Sequence, residues 1–217
     1  MREKRFYVKI LLVRNAAHDA ESNSRWPVDS TGLSSVGLAQ RLRLCNALGG
    51  ESIRDIYASH MSRSIETIRP LALLKGLPIT ECSEFNGIGM GRCAGMSYAE
   101  ARELVGDEEF DKVTTNPDPK KRYFPDGETL EELEIRARTK LSSIVHAGKK
   151  DGCAVICTHE EVIGALLCHI TGMRLSRVWW WGGRLRPPLY ANITELLWEN
   201  NEWTLVHFGC TLHLEGS

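Results

Sequence analysis

At 217 residues, with 42% hydrophobic and 25% charged side chains, the chain is long enough to bury a sizeable core and has the balance of a soluble globular protein. A net charge of −1 excludes broad electrostatic capture of nucleic acid or of an anionic membrane, and no stretch of about 18 apolar residues is present to span a bilayer. The seven cysteines are odd in number, form no CxxC pair and lie partly in apolar runs, which reads as buried reduced thiols in a cytoplasmic protein. No Cys and His cluster at zinc spacing, so no metal and no cofactor are expected.

In chain order, "FYVKILLV" (6–13) is continuous, mostly apolar and rich in branched residues, as a buried parallel strand should be; its basic lead-in lacks the cleavage site of a signal peptide. Helical periodicity runs from Val36 to Leu48 and closes on Gly49-Gly50 as a C-cap. "IRDIYAS" (53–59) is a second strand, and 62–76 a helix with Pro70 expected to kink or break it. A further helix fits 97–106, with Ser97 and Glu100 as a capping box. The proline-rich 116–128 is a long loop. Helix 129–148 opens on a second capping box, Thr129 with Glu132. "GCAVICTH" (152–159) is a buried strand running straight into helix 160–172, and 189–209 is a hairpin turning at Asn200-Asn201. This alternation predicts one domain over residues 1–217: a three-layer α/β sandwich with helices on both faces of a mostly parallel central sheet, which the hairpin extends by one antiparallel strand.

Ligands bind such sheets at the C-terminal ends of the strands. Three strand ends carry chemistry there: Arg14-Asn15, the "SHMSRS" segment with Arg63, and His159. Two arginines and a histidine make a compact cationic site, and the planar guanidinium fork suits phosphate. Backbone N–H groups at the helix start near Glu160 would add to the anion cradle. The Gly-rich "GIGMG" (87–91) lacks the strand-then-helix setting of a dinucleotide loop and reads as a turn. The run Trp179–Trp181 is a candidate substrate lid or homodimer contact, or core packing for one or two of its rings. Cys153 and Cys157, four apart on a strand, share one face and pack in the core.

These residues resemble the histidine phosphatase superfamily, the phosphoglycerate-mutase-like proteins. The family's Arg-His-Gly at the end of strand one is matched by Arg14-Asn15-Ala16. Its phosphate-binding arginine falls on Arg63 in "YASHMSRSIETI", its second histidine on His159 in "CTHEE", and its Gly-Glu-Ser helix start on "FPDGETLEELEIRA". In the family the first histidine attacks phosphorus and a glutamate protonates the leaving group. Asn15 stands at the nucleophile and Gly87, in "FNGIGMG", at the glutamate. An amide nitrogen has no usable lone pair, and losing a covalent nucleophile can cost roughly 10⁶-fold in rate, an acid about 10²–10⁴-fold.

The resemblance therefore implies a pocket of Arg14, Arg63 and His159 that holds a small phosphorylated or other anionic ligand without phosphatase turnover. His18, Asn23, Arg25 and Trp26 lie in the loop where the family lines its substrate pocket. A distant branch, the acid phosphatases and phytases, places its acid directly after the second histidine, which makes Glu160 a candidate acid; the alternative is that it only complements the helix dipole. Two other accounts stay open. His159 and Glu160 could run different acid–base chemistry on an anionic substrate, or Asn15 and Gly87 could be substitutions introduced into an active phosphatase or mutase. Arg92, Cys93 and Ala94, where many relatives have Glu-Trp-Glu, favour natural drift over the latter.

Overall fold

The computed structural model describes residues 7–22, 24–147, 152–177 and 189–215. The elements run β1 (Tyr7–Arg14), α1 (Asp19–Ser22), α2 (Ser35–Leu48), β2 (Ile53–Ala58), α3 (Ser62–Lys75), β3 (Ile79–Glu81), α4 (Tyr98–Val105), α5 (Asp107–Thr115), α6 (Leu130–Ala147), β4 (Gly152–Thr158), α7 (Glu160–Thr171), β5 (Ile193–Glu199) and β6 (Glu202–Cys210). They build one six-stranded sheet in the order β3-β2-β4-β1-β5-β6. The first four strands are mutually parallel, and β5 alone runs against its neighbours β1 and β6.

The central strands are apolar on both faces because helices cover both. Val8, Ile10 and Leu12 of β1, with Ala154 and Ile156 of β4, join the core formed by α6 and α7. The alternate residues Leu11, Val13, Cys153, Val155 and Cys157 join the core under α2 and α3. Cys153 and Cys157 thus do share a face. All seven cysteines are free and six are buried. No helix among the described residues is long and apolar enough to cross a membrane.

Both capping boxes form as expected: Ser97 with Glu100, and Thr129 with Glu132. The hairpin turns at Asn200 and Asn201, both with positive φ of 53° and 62°, as a tight two-residue turn needs. Gly49 is the C-cap of α2, as expected, with its N–H meeting the Asn46 carbonyl. Three details differ from the sequence reading. Helix α3 continues through Pro70 to Lys75. The carbonyl that proline leaves unpaired, at Glu66, faces Arg41 Nη1 at 3.5 Å, so the break is tolerated. Strand β3 is three residues long, too short to show a period, and α5 follows α4 after Gly106 alone, so neither stood out. The hairpin's first strand begins at Ile193 rather than at 189.

Candidate anion-binding pocket

The site forms where β1, β2 and β4 end side by side. Arg14 pairs in register with Thr158, so Asn15 and His159 emerge from adjacent strands. The Asn15 N–H donates to the Thr158 carbonyl at 2.8 Å, tying the two ends together. The loop after β1 is then clamped onto α2. The Ser34 N–H and hydroxyl both donate to the Ala17 carbonyl, and the Ala17 N–H donates to Gln40. A Cβ at Gly37 would collide with that Ala17 carbonyl oxygen, so glycine is required for helix and loop to close. The clamp turns His18 back into the pocket, which Arg14, Asn15, Arg63 and His159 line with it.

The cations are held by different means. Arg14 makes an ion pair with Glu160 at 2.8 Å, and its guanidinium stacks over the Tyr190 ring at 3.8 Å. Arg63 is 4% exposed. It donates to the Val28 carbonyl at 3.1 Å and to the Met61 sulfur at 2.9 Å, which aims the fork without neutralising it by a direct carboxylate bond. Burial lowers the Arg63 pKa, and the nearby Glu161 carboxylate opposes that shift.

Both histidines are uncharged at neutral pH. Burial, with Arg63 and then His18 behind it, holds His159 well below its ordinary value. Its Nε2 lies 2.8 Å from the buried Ser59 hydroxyl. His18 is pushed down to about 4 by burial and then by Arg63 and Arg14. Its ring meets Tyr190 edge-on at 5.6 Å, and its Nδ1 is buried with no hydrogen-bond partner among the described residues. Asn15 is 3% exposed and donates its side-chain N–H to the Ala16 carbonyl at 2.9 Å.

Of the remaining candidates, Trp26 forms a pocket wall braced edge-on by Tyr98 at 5.0 Å and Phe124 at 5.9 Å. Arg25 also lines the pocket, with its guanidinium donating to the Gly95 carbonyl and lying 3.6 Å from Glu100. Asn23 and Trp179–Trp181 lie outside the described residues. Among the described residues no group of His, Cys, Asp and Glu side chains is placed to hold a metal ion.

The "GIGMG" segment, expected as a turn, is irregular over residues 87–90 and enters a short 3-10 helix at Gly91; its residues Gly87, Ile88 and Met90 line the pocket. The Glu128 N–H, in the "FPDGE" segment, donates to the Gly89 carbonyl at 2.7 Å, and the Gly89 N–H donates to the Glu128 carboxylate at 3.1 Å. Arg136 of α6 anchors both, pairing with Glu128 at 2.6 Å and donating to the carbonyls of Glu84 and Gly87. The sequence reading left Glu160 open between a candidate acid and a partner of the helix dipole and gave Glu161 no place in the pocket; the structure pairs Glu160 with Arg14 and sets the Glu161 carboxylate beside Gly87. Glu161 Oε1 accepts the Ile88 N–H at 2.9 Å. A Cβ at Gly87 would stand 2.7 Å from that same oxygen. The signal was the paired Glu160-Glu161, whose members point about 100° apart on a helix and so serve different partners.

A family model for the histidine phosphatase superfamily (branch 1) matches residues 10–211. Phosphoserine phosphatase 1 of Hydrogenobacter thermophilus is 27% identical over 176 residues, covering 81% of this chain and 82% of the relative. The same organism's putative phosphoserine phosphatase 2 is 23% identical over 94% of this chain and 97% of its own length. Among solved structures, YhfR of Bacillus stearothermophilus superposes with a TM-score of 0.86 at 20% identity, covering 96% of this chain and all of that one. A phosphoserine phosphatase mutant from Entamoeba histolytica, in complex with phosphoserine, superposes at 0.78 and 18% identity over 96% of this chain and all of that one. With the sheet order, the converging strand ends and the family match in agreement, the chain belongs to the histidine phosphatase superfamily.

Proposed function

We propose that this chain binds a small phosphorylated or otherwise anionic ligand between Arg63, Arg14 and His159, without passing through a phosphohistidine. The observation that carries the reading is the buried Asn15 amide at the base of an otherwise furnished pocket. Its nitrogen donates to the Ala16 carbonyl and its lone pair is delocalised, so no covalent intermediate forms there. The guanidinium of Arg63 is buried at the cost of its hydration and is held ready by uncharged acceptors, an arrangement that an incoming anion rewards. The phosphoserine phosphatases among the relatives make phosphoserine the first ligand to try. The free thiols suit a cytoplasmic setting.

Acid–base chemistry through His159 and Glu160 is the weaker reading. His159 Nε2 is turned to Ser59, and the Glu160 carboxylate is engaged by Arg14.

Calorimetric titration with phosphoserine, run beside a phosphate-release assay, tests the proposal. Saturable binding without turnover is expected, and Arg63→Ala should abolish the binding. Turnover at a rate ordinary for a phosphatase, or no binding across a panel of phosphate monoesters, overturns it.

A further inference from the structure

We propose that Glu161 contacts the ligand, accepting a hydrogen bond from a protonated phosphoryl oxygen, so that the pocket selects the monoanionic form of a phosphate monoester. The inference rests on the anion-pocket reading and adds to it a residue and a ligand protonation state.

Three observations carry it. First, Glu161 lines the pocket, yet among the described residues it has no ion-pair partner within contact distance and only one hydrogen-bond donor, the Ile88 N–H. A carboxylate offers about four acceptor sites, so most of its capacity is unspent. Second, a side chain at 87 would displace the Glu161 carboxylate from its present position: any Cβ at Gly87 would stand 2.7 Å from Glu161 Oε1 and 3.4 Å from the His159 ring. Gly87 is therefore the residue that gives this carboxylate its place, rather than a mere deletion. Third, the pocket's charges are already matched. Glu160 engages Arg14, Arg25 lies beside Glu100, and both histidines are neutral, leaving Arg63 as the buried cation facing Glu161. On the far side of Gly87, Arg136 is paired with Glu128. A dianion placed on Arg63 would lie against the Glu161 carboxylate with no spare cation among the described residues to offset it. A monoanion brings the missing proton between the two oxygens, and a short charge-assisted O–H···O bond replaces the repulsion.

The test uses phenyl phosphate, a monoester without an amino group of its own, whose second ionisation lies near pH 6, about where phosphomonoesters titrate. If one proton is linked to binding, affinity falls about tenfold per pH unit from pH 7 to 8.5, and titrations in buffers of different ionisation enthalpy give about one proton taken up per ligand at pH 8. His18 and His159 are uncharged throughout this window and contribute nothing to the slope. Glu161→Gln keeps an oxygen for the Ile88 N–H. It should flatten the slope, bring proton uptake close to zero and tighten binding at pH 8 by at least about tenfold. Gly87→Ala, by displacing the carboxylate, should move the same three readouts in the same direction. An unchanged slope and unchanged uptake in Glu161→Gln overturn the proposal while leaving the anion pocket standing. Failure of the unsubstituted chain to bind phenyl phosphate at pH 6, where the monoanion is plentiful, overturns both.

Discussion

Arg14 and Glu160 meet at 2.8 Å across the mouths of two adjacent parallel strands, with the Arg14 side chain 12% exposed and that of Glu160 24%. Arg14 also stacks on Tyr190, so its guanidinium is held from two sides before any ligand arrives. The ion pair positions the arginine and, at the same time, competes with an incoming anion for it. Glu160→Gln should therefore tighten phosphoserine binding by about tenfold, about 1.4 kcal/mol, while lowering stability by up to about 1 kcal/mol. Paired calorimetry and thermal melts check both signs; weaker binding by the variant would mean that Glu160 serves the ligand rather than opposing it.

If Asn15 stands in the nucleophile's place, as proposed, its geometry predicts how a histidine there would behave. Its side-chain N–H donates to the Ala16 carbonyl at 2.9 Å. A histidine there can make the same bond from Nδ1–H, which leaves the Nε2 lone pair for phosphorus. Asn15→His alone should give measurable phosphate release from phosphoserine, with Glu161 as the nearby carboxyl group. Adding Gly87→Glu should lower that rate, because the new side chain displaces Glu161. Steady-state release assays decide; a double variant faster than the single one would show that the acid belongs on residue 87.

His18 makes the fold acid-sensitive. Its pKa is lowered from 6.5 to about 4, so the unfolded chain binds the proton more tightly than the native one. Its contribution is fully present above pH 6.5 and is lost as pH falls toward 4, a loss on the order of 2–3 kcal/mol. His159, also depressed, acts in the same direction. Urea unfolding at pH 7 and pH 4.5 should show His18→Gln losing less stability between the two than the unsubstituted chain. Equal losses would place the titration elsewhere.

Arg136 braces the wall that carries Gly87 and Ile88. One guanidinium serves Glu128 and the carbonyls of Glu84 and Gly87, a set that a single ammonium cannot reach with the same planar geometry. Arg136→Ala leaves the Glu128 carboxylate, 18% exposed, without its cation and should cost about 3 kcal/mol of stability. Arg136→Lys should recover less than half of that. Thermal melts with phosphoserine present and absent check the fall and whether ligand stabilisation is lost with the wall.

Much of the fold was legible because each signal was local. Strand β1 carries its burial in a mostly apolar run, α4 and α6 announce their starts by Ser97 with Glu100 and Thr129 with Glu132, and Asn200-Asn201 marks the hairpin. The elements that escaped notice lacked such a signal: β3 is three residues long, and α5 is set off from α4 only by Gly106. Pro70 sent a false one, because the carbonyl it frees is met by Arg41 from another helix.

The sequence by itself determined the layered architecture, the family, and the convergence of Arg14, Asn15, Arg63 and His159 on one pocket. Those follow from periodicity, from capping and from motif order, which are written along the chain. Only the tertiary structure decided what each of the two pocket glutamates is set against. Glu160 and Glu161 are neighbours of identical chemistry, and their roles divide according to what the fold sets beside each: an arginine from β1 for one, and the bare backbone of Gly87 and Ile88 for the other. Such choices depend on distances of a few ångströms between residues more than seventy positions apart, which no local pattern encodes.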